Sequence, residues 1–197
     1  MSRFIAPVTL EGEYAILEPL EIGHADALAE ATQDGELWHL WYTAVPAPDT
    51  ARSYIDGALA MREQQGALPF AVRQRSTGRI VGSTRYFNVE AAHRRLEIGY
   101  TWYARSVQRS ALNTECKLLL LGHAFDVLGC IAVEFRTHWM NHRSREAIAR
   151  LGAKQDGVLR SHQIGADGVL RDTVVFSIIA PEWPTVRRHL LYKLGRT

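Results

Sequence analysis

Only two cysteines and three methionines occur among the 197 residues, too few thiols for a disulfide framework. Cys116 stands inside an apolar helical run and Cys130 at the start of an apolar strand, so both read as small buried hydrophobes. Long hydrophobic runs are missing as well. The longest, Leu118 to Leu121 before Gly122, falls far short of the roughly 20 residues that a membrane-spanning helix needs, and Met1 to Tyr14 holds no apolar core of signal-peptide length. These absences point to a chain kept in the reducing cytoplasm and off the membrane. An excess of one charge is also lacking: 23 basic and 21 acidic residues are interspersed and leave a net charge of +2, which gives no electrostatic footprint for nucleic acid. No low-complexity tract or fixed-period repeat interrupts the chain. His138 and His142 have i,i+4 separation, but a strand ends at His138, so no metal site is expected there.

What is present is an ordinary globular composition, 47% hydrophobic and 22% charged, in a length that suits one domain over 1–197. Val8 to Leu20 alternates as a strand, and Ala27, Leu28 and Ala31 place a helix over His24 to Thr32. Glu36 to Val45 packs Trp38, Trp41 and Tyr42 into a short helix or loop before Pro46 and Pro48, and Asp49 is positioned to cap a helix that runs to Arg62. Phe70 to Arg73 and Ile80 to Phe87 flank the turn residues Ser76, Thr77 and Gly78, and Leu96 to Tyr103 follows. Three strands with short links predict an antiparallel meander. A helix over Thr114 to Leu128, a strand over Ile131 to Thr137, a helix over Arg143 to Leu151 and a hairpin turning at Ala166 to Gly168 complete the pattern. The strand-helix-strand step makes neighbouring strands parallel. The fold class is therefore α/β, with a mixed central sheet that is antiparallel at its start, switches at the central strands and carries flanking helices. Ligands favour such a switch point.

The segment Gln108-Arg109-Ser110-Ala111-Leu112-Asn113 leads from the Leu96 to Tyr103 strand into the long helix. Small and polar residues at a helix start leave backbone N–H groups free beside the positive end of the macrodipole, an arrangement that holds pyrophosphate as readily as it merely turns the chain. Around it, Glu97-Ile98-Gly99-Tyr100, Asn141-x-x-Ser144 and Leu151-Gly152-Ala153 occur in the order and approximate spacing of the GNAT superfamily of N-acetyltransferases. The chain resembles that superfamily over nearly its whole length, above all its RimJ/RimL-type branch. The loop departs from the family's Gln/Arg-x-x-Gly-x-Gly/Ala pattern, with Ala111 and Asn113 at the two customary small positions.

The resemblance implies acetyl-CoA as co-substrate, with no metal. It implies that Gln108, Arg109, Ser110, Ala111, Leu112, Asn113 and Thr114 hold the pyrophosphate, that the strand at Trp102 and Tyr103 bonds the pantetheine arm, and that Asn141 contacts that arm or orders its helix. Ser144 would face the thioester sulfur as the acid. Many family members place a tyrosine four residues further on, where this chain has Ile148. Glu97 reads either as the general base or as a strand carboxylate paired with Arg94, Arg95 or Arg136, with Glu134 a weaker competitor. Trp38, Trp41, Tyr42 and Tyr86 are candidates for the acceptor pocket. The implied function is acetyl transfer to a primary amine, foremost a protein or peptide N-terminal α-amine. The alternatives are a small-molecule amine, or a non-catalytic domain that binds acyl-CoA or a protein. Homodimerisation through strand edges is a further expectation.

Overall fold

A computed structural model describes residues 4–165 and 167–196; Ala166 of the expected final turn, and residues 1–3 and 197, lie outside the described residues. The first expected strand is a hairpin, β1 (Leu10–Glu11) and β2 (Ala15–Pro19). Helix α1 (Ala25–Gln33) follows, and then a 3-10 turn at Leu37–His39. Asp49 does not cap the next helix. It lies in a 3-10 turn at Pro48–Thr50, and α2 (Ala51–Gln65) starts beyond Thr50. The meander appears as expected, formed by β3 (Leu68–Gln74), β4 (Ile80–Glu90) and β5 (Arg95–Tyr103).

The long helix begins earlier than the apolar stripe suggested. Helix α3 (Ala111–Gly122) is capped by Ser110, whose Oγ accepts from the Leu112 N–H at 3.3 Å, and it passes into a π-helical turn at His123–Val127. Strand β6 (Ala132–His138), helix α4 (His142–Ala149), the hairpin β7 (Lys154–Ile164) and β8 (Leu170–Ile179), and helix α5 (Trp183–Lys193) complete the chain. The sheet runs β1-β2-β3-β4-β5-β6-β8-β7. Among the described residues only β5 and β6 pair in parallel. In the final hairpin it is β8, the second strand, that joins β6.

Helices cover both faces of the sheet. On one, α3, α4 and α5 bury Cys116, Leu120, Ile148, Trp183 and Leu190 against Phe70, Tyr86, Ile98, Val133 and Phe176. On the other, α1 and α2 bury Leu28, Ile55 and Ala58 against Ala71, Ile80 and Trp102. Cys116 and Cys130 are both buried and unbridged, as their setting predicted. No helix among the described residues is long and apolar enough to cross a membrane.

One buried carboxylate ties the β1–β2 hairpin to α3. Glu115 accepts from the N–H groups of Glu13, Tyr14 and Ala15 at 2.9, 2.6 and 2.9 Å, and Arg196 donates to it from beyond α5. Gly12 is required by close approach, since a Cβ there would meet the Glu115 carboxylate at 2.3 Å. Burial alone would raise the pKa of this carboxyl, but Arg196 and the three N–H donors outweigh it and hold the group below its usual value. A depressed folded pKa contributes stability above the unfolded value that is lost as pH falls. Glu115→Gln should therefore cost about 2 kcal/mol at neutral pH in urea denaturation, since it weakens the charge-assisted bonds from three backbone N–H groups and Arg196, with the deficit shrinking in acid. An unchanged midpoint at neutral pH would show that the clamp carries no stability.

Candidate active site

Strands β5 and β6 share only three register pairs, Arg95↔Ala132, Leu96↔Val133 and Glu97↔Glu134. Beyond them β5 stays with β4 and β6 with β8, and the two strands part. A β-bulge accompanies the parting: Arg85 faces Gly99 and Ser83 faces Trp102, so Tyr100 and Thr101 together oppose Thr84. Such an extra residue bends the strand. Tyr100 takes a left-handed φ of 50°, a strain of about 1–3 kcal/mol for a non-glycine residue. The bulge also reverses the side-chain alternation: Ile98 and Tyr103 both join the α3 face, and Trp102 the α1–α2 face. Gly99 leaves room for Phe87, whose Cε1 would stand 2.6 Å from a Cβ there.

Glu97 sits at the apex of the gap and is 3% exposed. Asn88 Nδ2 donates to its Oε2 at 2.9 Å, and Arg136 Nε lies 3.4 Å from the same oxygen. Of the three arginines proposed as its partners, Arg136 is the one it meets. Glu134 faces it across the strand pair and is held by Arg95 and, at 3.0 Å, by Arg136. Burial pushes the Glu97 carboxyl up to about 7, with Asn88 and Arg136 opposing the rise.

The N-termini of α3 and α4 follow the carboxyl ends of the two parting strands. At α3, Gln108 Nε2 donates to the Tyr103 carbonyl at 2.9 Å, Ser110 Oγ donates to the Val107 carbonyl at 2.6 Å, and Arg109 turns the chain with a φ of 60°. Ala111, Leu112 and Asn113 open the first turn with N–H groups that have no i−4 partner within the helix, that of Leu112 being held by Ser110 Oγ, and Thr114 follows them. Asn113 Oδ1 is buried without a partner. A lone acceptor of this kind fits an amide N–H or a hydroxyl, while the free N–H groups fit phosphate oxygens. An acyl-CoA carries both kinds of group, so the residues present fit it. At α4, Asn141 is the N-cap, its Oδ1 accepting from the Ser144 N–H at 3.0 Å, so it orders its helix. Ser144 shares a helix face with Ile148, four residues on and buried against the α3 side of the sheet.

The sequence reading missed Lys117. It is 6% exposed, and its Nζ donates to Thr101 Oγ1 on β5 at 3.0 Å while lying 5.7 Å from the Phe135 ring centroid on β6. The ammonium thus stands between the two strands beyond their last pair, and burial lowers its pKa to about 8. A charge inside an apolar helical stripe was the available signal. Arg85 was missed too. It is 2% exposed and forms no salt bridge among the described residues; its Nη1 donates to Met61 Sδ at 3.1 Å, and the rings of Tyr100 and Tyr54 lie 4.0 and 5.3 Å away. Cation–π contacts contribute up to about 2 kcal/mol, against several for burying an ion.

The aromatic candidates divide. Trp41, 65% exposed, meets His138 edge-on at 5.0 Å at the end of β6, with Tyr42 at 5.5 Å. Trp38 is half-buried in the 3-10 turn, beside His39. Tyr86 is a core residue, not part of a pocket: it is fully buried on the opposite face, and its hydroxyl donates to the Leu120 carbonyl at 2.6 Å. Trp102 and Tyr103 are likewise buried by their side chains, so only their backbone can meet a ligand in the gap.

Comparison with known proteins agrees with this geometry. The acetyltransferase (GNAT) domain family matches residues 15–154. A crystal structure from T. thermophilus, of a protein assigned as an acetyltransferase, superposes with a TM-score of 0.84 at 33% identity, covering 96% of this chain and 98% of that one. Mycobacterium smegmatis RimJ, solved with CoA-disulfide, gives a TM-score of 0.74 at 25% identity over 97% and 94% of the two chains. YoaA of Bacillus subtilis (strain 168), named an uncharacterised N-acetyltransferase, is 23% identical over 87% of this chain and 97% of its own.

A carboxyl whose folded pKa is raised favours the folded state below its unfolded pKa and loses that contribution as pH rises through the folded one. For Glu97 the window runs from 4.5 to about 7. The stability difference between Glu97→Gln and wild type should therefore shift by roughly 3 kcal/mol in the variant's favour from pH 4.5 to 8. Parallel stability curves across that range in urea denaturation would refute the raised pKa.

Proposed function

Because the chain belongs to the acetyltransferase (GNAT) domain family and is an acyltransferase, we propose that it moves an acetyl group from acetyl-CoA to a primary amine, foremost the α-amine of a protein or peptide N-terminus. The observation that carries the reading is the gap between β5 and β6, with Glu97 at its apex and the starts of α3 and α4 at its mouth. Similarity to RimJ over nearly the whole chain supports the N-terminal acceptor.

Acetyl-CoA supplies the thioester carbonyl that the amine attacks. The free edge of β5 offers backbone N–H groups to the pantetheine amides and to the developing oxyanion. The α3 N-terminus holds the pyrophosphate through Gln108 to Thr114. Glu97 receives the amine proton, directly or through a water. An α-amine of pKa about 7.7–8.0 is roughly a tenth neutral at pH 7, and a carboxylate near 7 is a base matched to it, whereas a lysine amine near 10.4 is neutral in fewer than about one part in a thousand. Ile148 cannot donate a proton, so Ser144 hydrogen-bonds the departing sulfur. Lys117 adds positive charge beside the gap, which favours the thiolate.

Titration calorimetry with acetyl-CoA, followed by thiol release with peptides and small amines, tests the reading; a folded protein that neither binds acetyl-CoA nor releases thiol would leave only the non-catalytic alternative. Asn113→Asp should weaken acetyl-CoA binding by placing a carboxylate beside the pyrophosphate. Wild-type kcat/KM should rise with pH through about 7, and Glu97→Gln should remove that inflection. An inflection kept in Glu97→Gln would assign it to the amine substrate, whose own pKa is about 7.7–8.0, and would remove Glu97 as the base. Ser144→Ala should lower kcat about a hundredfold with acetyl-CoA affinity unchanged; wild-type turnover would remove it from the mechanism.

A further inference from the structure

Arg85 lies on the α1–α2 face of β4, directly opposite Gly99 and diagonal to Glu97, which pairs with Phe87. Diagonal neighbours on one sheet face stand about 7–8 Å apart. The guanidinium is buried, makes no salt bridge among the described residues, and has an unpartnered Nε. Nη1 is engaged by Met61, which leaves the Nε edge, where two parallel N–H groups match the two oxygens of a carboxylate. Tyr100 stacks 4.0 Å over the guanidinium and is itself 41% exposed, so the shift of one surface ring at the bulge would uncover it. A second cation, the half-buried Arg171 on β8, also makes no salt bridge among the described residues and lies near enough to Glu97 and Tyr100 to interact with both. Arg136, in contrast, is already shared between Glu97 and Glu134.

Resting on the transferase reading above, we propose that the acceptor is a primary amine bearing a carboxylate a few bonds from its nitrogen, with Glu97 facing the amine and Arg85 binding the carboxylate. Two sources share this chemistry: a free α-amino acid, and a peptide whose first residue is aspartate or glutamate. Burial of a cation without an acid partner is the cost that this specificity carries in the free protein.

Thiol release with acetyl-CoA is to be measured on matched pairs. One arm compares free α-amino acids with their α-amides; the other compares peptide amides that begin with Asp or Glu with those that begin with Asn or Gln. A kcat/KM at least tenfold higher for the carboxylate member is expected in one arm, and the arm identifies the source. Arg85→Met should bring that ratio close to one without lowering the acetyl-CoA affinity measured by calorimetry. Arg85→Lys should also lose most of the ratio, since a point charge cannot bridge two oxygens, and it serves if the methionine variant does not fold. A wild-type ratio near one in both arms, or a ratio that survives both substitutions, overturns the inference while leaving the transferase intact. No thiol release with any amine overturns the transferase reading and this inference together.

Discussion

Three residue pairs hold β5 to β6, and the rest of the molecule depends on their being only three. Were the ladder continued, the backbone edge from Ile98 to Tyr103 would be satisfied within the sheet and nothing could lie between the strands. Each strand is instead held from outside, β5 by β4 and β6 by β8, so the parting costs no order on either side. The bulge at Tyr100 and Thr101 provides the bend, and Phe87 and Arg85 pack on the Tyr100 ring to hold a backbone conformation it would not otherwise adopt. Both helix starts at the mouth follow from the same construction, because each chain leaving the end of a parted strand enters a helix after a short connection.

The polar groups around the apex are balanced unevenly. Glu134 is satisfied by two arginines, while Glu97, one strand away, shares one of them at longer range and lies deeper. That inequality separates two adjacent glutamates into an ion-pair member and a carboxyl that titrates near neutrality. Of the two sequence readings of Glu97, the pairing with Arg136 is the one the structure shows, and the proposed base is that same carboxyl.

Element types were legible where periodicity is regular: the meander, α1, α4 and the final hairpin lie within a few residues of their expected bounds. The start of α3 was not, because Ser110 precedes the apolar stripe and only its hydroxyl marks the cap. Strand parity failed at the bulge, which no composition signals, since Tyr100 is neither glycine nor asparagine. Tyr86 read as an acceptor-pocket candidate because the partner that fixes its hydroxyl in the core is a helix carbonyl thirty-four residues away. Lys117 and Arg85 were hidden for the opposite reason: a charge within a periodic segment is read as solvent-facing, and here two such charges are turned inward. Of the proposed site, the backbone frame and Glu97 were therefore visible, and the buried cations were not.

The Glu115 clamp gathers residues 13–15, 115 and 196 at a single carboxylate. On a growing chain the hairpin and α3 leave the ribosome long before residue 196 does. Until Arg196 is added, that carboxylate has its backbone donors but not its cation, so the clamp is complete only once α5 has been made. Segments 183 residues apart in sequence thus meet at the helix whose first turn faces the gap.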